Sequence, residues 1–230
     1  MTKPNKDFSF GDHASKFDSH IRSSIPGYKE GLLQACVSLS RRFVQPETRV
    51  LDVGCSTGHL LASIRRENQA ARPEVQYHGI DIEPGFSVHW NGLRATNLDF
   101  EVADARNYQG LTGLSLTLSL FTVQFIRAVD KLPLLKRIHD GLVDGGALIV
   151  AEKTLAETAR LQDALTFPYY DYKLGKGFSP QDILDKERCL RGQMTLWTEA
   201  ELKGALKEVG FREIEAIWRN YMFVGLLALK

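Results

Sequence analysis

Between residues 48 and 153 the chain alternates short apolar runs with amphipathic helical stretches, and several runs end on an acid or a glycine. "TRVLDVG" (48–54) reads as a strand closed by Gly54, and "HLLASIRREN" follows as a helix with Leu60, Leu61 and Ile64 on one face. "VQYHGIDIEP" is a second strand ending at Asp81, and Pro84 opens the next helical stretch. "LDFEVADA" is a third strand ending at Asp104. "LSLTLSLFTVQFI" is a fourth, from about Leu114 to Phe121, and "ALIVAEK" is a fifth. Strands that alternate with helices pair in parallel, and a parallel sheet is covered by helices on both faces. The expected class is therefore α/β, with a Rossmann-like sheet.

The remaining elements complete that frame. Leu32, Leu33, Cys36, Val37 and Leu39 fall at helical spacing, so Lys29 to Phe43 reads as an amphipathic helix after the Pro26-Gly27 turn. "DKLPLLKRIHDGLVDGG" reads as a helix closed by Gly145-Gly146 in a left-handed cap. "EAELKGALKEVGF" is a helix with its own glycine stop. "EIEAIWRNYMFVGLLALK" reads as a β-hairpin turning near Arg219-Asn220. The sheet is expected to hold seven strands, mostly parallel, with an antiparallel C-terminal hairpin. Residues 1–230 are expected to form one domain, with residues 1–45 as a helical cover. The first twenty residues are polar and are expected to be loosely ordered until anchored. Residues 154–196 are too long for a simple connection and rich in Tyr and charge, which suits a lid over a substrate.

Charge and cysteine content narrow the functional classes. The 230 residues carry 29 basic and 28 acidic side chains, a formal net charge of +1. That balance gives no broad field for nucleic acid or an anionic membrane, so direct contact with either is not expected. No run approaches membrane-spanning length, and "MTKPNKDFSFGDHASKFDSH" has no apolar h-region. Cys36, Cys55 and Cys189 are widely spaced and odd in number, so neither a disulfide framework nor a metal site is expected. Reduced thiols in a cytoplasm are the plain reading.

The stretch "LDVGCSTGHL" (51–60) allows two chemistries. Gly54-Cys55-Ser56-Thr57-Gly58 fits the G-x-S-x-G elbow of serine hydrolases. Such an elbow normally follows several strands and needs a later histidine, and the obvious candidate, His139, lies inside an ordinary helical pattern. The other reading is a ligand loop after the first strand. Three acids support it: Asp52 before the loop, Asp81 ending the second strand and Asp104 ending the third. In open α/β sheets, ligands sit at the carboxyl ends of the strands. Gly54 and Gly58 let the main chain approach such a ligand. Asp81 suits two ribose hydroxyls, and Asp104 an adenine amino group. A dinucleotide site prefers G-x-G-x-x-G, and an acid before the loop disfavours a phosphate. Asp52 suits a cationic amino end, such as the methionine part of S-adenosylmethionine. A single Asp is equally at home as a cap or turn former.

The whole pattern resembles a class I S-adenosylmethionine-dependent methyltransferase fold. From about Phe17 onward the sequence resembles the carboxy-S-adenosyl-L-methionine synthases, which share that fold and act in bacterial tRNA wobble-uridine modification. "SIPGY" (24–28) resembles the family's S-V-P-G-Y, and "RFVQPETRVLDVGCSTG" its R-F-V-Q-P-G-T-x-V-Y-D-L-G-C-S-L-G. "FTVQFI", "GLVDGGALIVAEK" and "GLLALK" also have counterparts. The resemblance implies cofactor contacts from Tyr28, Gly54, Cys55, Ser56, Asp81 with its neighbour Ile82, and Asp104, and from Ala105 through its main chain. It also implies a homodimer.

Two departures bear on the chemistry. Leu120 stands where the family has an asparagine. In "DKERCLRGQM" an ungapped alignment puts Glu187 at the family's carboxylate-binding arginine, whereas a one-residue slip restores Arg188, the candidate catalytic residue. Glu187 repels a carboxylate, and Arg188 can pair with one bidentately. The "YYDYK" run (169–173) replaces a more histidine-rich family stretch. The leading expectation is therefore methyl transfer from S-adenosylmethionine to a small-molecule acceptor. The alternatives are carboxy-S-adenosylmethionine synthesis from prephenate, and a non-catalytic ligand-binding protein.

Overall fold

The computed structural model describes residues 17–230. The first sixteen positions of the expected cover lie outside the described residues. The chain begins with α1 (Phe17–Ser24). A π-helical turn (Tyr28–Leu33) then leads into α2 (Gln34–Phe43). Seven strands follow: β1 (Arg49–Val53), β2 (Gln76–Asp81), β3 (Leu98–Val102), β4 (Leu114–Leu120), β5 (Leu142–Lys153), β6 (Glu213–Asn220) and β7 (Phe223–Leu229). The helices between them are α3 (His59–Asn68), α4 (Ser87–Trp90), α5 (Ala128–Gly141), α6 (Ala159–Gly175), α7 (Pro180–Leu190) and α8 (Glu199–Val209).

The strands form one sheet in the order β3-β2-β1-β4-β5-β7-β6. The first five pair in parallel, and β7 runs against both β5 and β6. Strand order reverses at β1, which puts the switch point between β1 and β4, directly above the glycine loop. This is the sheet the alternation predicts, hairpin included.

Side-chain alternation along the central strands fills both faces. On β5, Ala147, Ile149 and Ala151 join the cluster that packs under α2 and α3, and Leu148 and Val150 join the cluster under α5 and α8. Burial on both faces is why "ALIVA" reads as a continuous apolar run. The two ends of segment 154–196 are tied to each other and to the turns that follow β4 and join β6 to β7. Thr154 donates its N–H and hydroxyl to Met222 O, at 2.7 and 3.0 Å, and Leu155 N–H donates to Trp197 O at 2.9 Å. Thr195 N–H donates to Gln124 O at 2.8 Å. Between those ties the segment folds as α6 and α7.

Four local expectations are corrected. Gly145-Gly146 do not cap α5, which stops at Gly141, because Leu142 already pairs with Leu114 of β4. Gly145, at φ +71°, instead sits in the register shift between the Leu142 and Ala147 pairings. β3 ends at Val102, and the chain turns at Asp104, whose carboxylate accepts the Arg106 N–H at 2.9 Å. The hairpin turns at Tyr221-Met222 rather than one or two residues earlier. The helix expected from Lys29 begins as the π turn, since Gly27 enters it in the left-handed region and both Gly31 and Leu32 N–H donate to its carbonyl.

Candidate active site

A cavity of about 440 Å³ opens at the carboxyl ends of β1, β2, β4 and β5. That lies within the usual range for a site that engulfs a small ligand. Its floor is the glycine loop. Gly54 takes φ +77°, and a Cβ there would stand 2.0 Å from Thr122 Oγ1, so only glycine allows the loop to pass this close to the β4 tip. The N–H groups of Gly54 and Cys55 both donate to Ile80 O, at 2.8 and 3.0 Å, which locks the loop onto β2. Ser56, at φ 44°, turns the chain so that its N–H meets Asp81 Oδ2 at 2.8 Å, and its carbonyl accepts Trp90 Nε1–H at 2.8 Å.

Asp81 is held as an acceptor. Besides the Ser56 N–H it takes the Glu83 N–H on Oδ1 at 2.9 Å. Each oxygen keeps a further lone pair for a ligand hydroxyl. Burial pushes its carboxyl up, and the backbone N–H groups of Glu83, Ser56 and Ile82 pull it back toward the ionised form. Asp52 is different. It is 3% exposed, and no hydrogen bond or ion pair reaches its carboxyl among the described residues. Burial, reinforced by the neighbouring Asp81 charge, pushes it up to about 7. A buried, unpaired carboxyl beside a cavity is a ready partner for a cation.

Asp104 lines the same cavity, but Arg106 holds its carboxylate, with Nη2 to Oδ2 and Nε to both oxygens. That hydrogen bonding keeps its carboxyl below the usual range. Ala105 lies beside it, buried, with its carbonyl accepting from Arg137 Nη1 at 3.3 Å. Ile82 forms part of the rim and is 63% exposed. Cys55 is buried beneath the loop, and burial raises its thiol so that it stays neutral. Tyr28 enters from the π turn and packs against Phe121, with ring centroids 6.1 Å apart.

Two predicted residues are not part of the cavity wall. Gly58 caps α3 at φ +79°, and a Cβ there would stand 2.6 Å from Phe100, so its role is close packing under the loop. Arg188 is 70% exposed and pairs with Asp185 one turn back. Neighbours on a helix point about 100° apart, and α7 turns Glu187, not Arg188, toward the cavity. The arginine reading of this position is therefore corrected. His139, the hydrolase candidate, is also elsewhere, stacked edge-on against Phe211 at 5.0 Å.

The cavity also contains cations that the motifs did not flag. Lys153 ends β5, Lys173 comes from α6 and Lys186 from α7, and all three line it with Glu187. Lys153 Nζ lies 3.4 Å from Glu187 Oε1. "YYDYK" and "DKERCLRGQM", the two stretches that depart from the family pattern, hinted at part of this. Tyr169 on α6 donates its hydroxyl to Ser24 O at 3.0 Å, joining α6 to the end of α1 over the cavity. Asp81 and Asp52 thus offer the cavity two carboxyls of different character, one held by backbone N–H groups and one without a partner.

Comparison with known proteins agrees with this geometry. Residues 51–148 match a methyltransferase domain family. A carboxy-S-adenosyl-L-methionine synthase of Nautilia profundicola is 32% identical, spanning 100% of this chain and 98% of that protein. The synthase of Methylococcus capsulatus is 30% identical over 97% and 94%. The solved human N-acetylserotonin methyltransferase, in complex with S-adenosylmethionine, shares the fold at a TM-score of 0.55 and 17% identity, covering 86% of this chain and 51% of that one. Full-length similarity to the synthases, on a class I methyltransferase sheet with its acids at the strand tips, means that this chain belongs to the carboxy-S-adenosyl-L-methionine synthase family of S-adenosylmethionine-dependent transferases.

Proposed function

We propose that this enzyme makes carboxy-S-adenosylmethionine from S-adenosylmethionine and prephenate, in the cytoplasm, as a supply for tRNA wobble-uridine modification. The observation that carries the reading is similarity to the synthases over essentially the whole chain, lid segment included. In this reaction prephenate loses carbon dioxide and hydroxide to leave phenylpyruvate. The hydroxide takes a proton from the sulfonium methyl group and becomes water, and the resulting carbanion bonds to the carbon dioxide. The protein's part is to align the two substrates and keep bulk water from the carbanion. Asp52 holds the cationic amino end and Asp81 the ribose, while the aromatic wall from Tyr28 and Phe121 excludes water. Tyr28 stays protonated, because burial and the Asp52 charge raise its phenol.

Glu187 and Leu120 in the cavity wall support a second reading, methyl transfer to a small acceptor, because neither side chain can bind a carboxylate. Mass spectrometry of the ligand released from purified protein separates the two. Carboxy-S-adenosylmethionine supports the first reading, and S-adenosylhomocysteine supports the second. Neither reading requires this chain to touch nucleic acid. We also propose the homodimer that the family resemblance implies, which light scattering reads directly.

A further inference from the structure

The β5 side of the cavity differs in charge from the β1–β2 side. β5 lies two strands from β1, away from β2 and Asp81. Lys153, Lys173, Lys186 and Glu187 line this end, so cationic side chains outnumber the one carboxylate among them. Lys173 carries the strongest signal. It is 4% exposed, and no hydrogen bond or ion pair reaches its ammonium among the described residues. It meets aromatic faces, Tyr169 at 5.5 Å and Phe178 at 5.1 Å. Those faces attract a cation but do not replace a counter-ion in a desolvated site.

The described surroundings do not supply Lys173 with one. The Glu187 charge favours the Lys173 ammonium without bonding to it, and its carboxylate is shared with Lys153. Asp182 stabilises Lys173 from α7, but its carboxylate is committed to the Ser179 capping box. Burial and the Lys153 charge push Lys173 down, and burial with the Lys173 charge pushes Lys186 down to about 8. A buried ammonium among other cations is electrostatically incomplete until an anion enters.

We propose that Lys173, with Lys153 and Lys186, forms a subsite for a dicarboxylate co-substrate, replacing the arginine that α7 turns away from the cavity. The identity of the dicarboxylate as prephenate rests on the carboxy-transfer reading above; the subsite does not. Lysines from three separate elements converge here, so the packing of α6 and α7 over the cavity assembles the site.

The test is calorimetry on the full chain saturated with S-adenosylhomocysteine, titrated with prephenate and, separately, with malonate. Wild type, Lys173→Met, Lys173→Arg and Lys186→Met are compared, with melting curves to establish that each is folded. The expected result is that Lys173→Met weakens prephenate by about tenfold or more, that Lys173→Arg retains most of the affinity, and that S-adenosylhomocysteine binds all four alike. Should Lys173→Met not fold, Lys186→Met serves in its place and is expected to weaken prephenate as well. Undiminished prephenate binding in the folded lysine-to-methionine variants overturns the subsite and leaves the carboxy-transfer reading standing. Wild-type binding of malonate but not prephenate, with the same lysine dependence, supports the subsite and overturns that reading. Binding of neither acid by wild type overturns the subsite.

Discussion

Replacing Asp52 with asparagine should stabilise the free protein and weaken its grip on S-adenosylmethionine. In the fold the carboxyl is buried without a partner and raised from 3.8 to about 7. A raised folded-state value means that the folded chain holds a proton the unfolded chain has released between those two pH values. Stability present below about pH 4 is therefore lost progressively up to about pH 7. Three pKa units at about 1.4 kcal/mol each put the full loss near 4 kcal/mol above pH 7, and the loss at pH 5 is about 2 kcal/mol. The amide of Asp52→Asn carries no charge and escapes this loss. At about pH 8 the variant should melt several degrees higher than wild type, and the gap should shrink by about half at pH 5. Binding should move the other way. The ligand's ammonium pairs with ionised Asp52, so wild-type affinity should tighten as pH rises through about 7, with release of a proton. Asp52→Asn should lose that slope and bind about 30-fold more weakly at pH 8. Calorimetry in two buffers of different ionisation heat reads both. A variant that melts lower than wild type at pH 8, or that keeps wild-type affinity, would refute an uncompensated carboxyl facing a cationic ligand.

Four further outcomes are expected. Gly54→Ala forces a Cβ onto Thr122 Oγ1 at φ +77° and should cost about 3 kcal/mol or more in chemical denaturation, with partial recovery on adding Thr122→Ala; full stability of the single variant would count against the close approach. Asp81→Asn leaves one of the Ser56 and Glu83 N–H groups without an acceptor, so both stability, by about 1–3 kcal/mol, and cofactor affinity should fall. Arg188→Ala removes only an exposed pair on α7 and should change cofactor and anion affinity by less than about twofold, whereas Glu187→Gln should tighten anion binding; a large loss in the arginine variant would return Arg188 to the site.

Much of this was legible before the fold was known, for reasons of local physics. A strand buried on both faces must be apolar along its whole length, and a helix over a sheet must be apolar on one side. The alternation of those two patterns sets the parallel sheet and its layers, as β5 shows. The loop at Gly54 and the acids around it were equally visible, because strand tips in such a sheet share one edge and place Asp52, Asp81 and Asp104 around the same cavity. Local pattern did not foresee which side Gly145 serves, since the pairing of Leu142 with Leu114 ends the helix early.

Convergence belongs to the tertiary structure alone. Lys153, Lys173 and Lys186 sit on three elements and carry no shared motif, and only the docking of α6 and α7 over β5 brings them to one wall. The choice between Glu187 and Arg188 is likewise a rotation of α7 about its axis. One residue step turns a side chain by about 100°, and the packing of the whole helix, anchored by buried Ile183, decides which of the two neighbours meets the cavity and which meets water. Sequence by itself determined the sheet and the acids that gather at one edge of it; packing determined the charge of the wall that faces them.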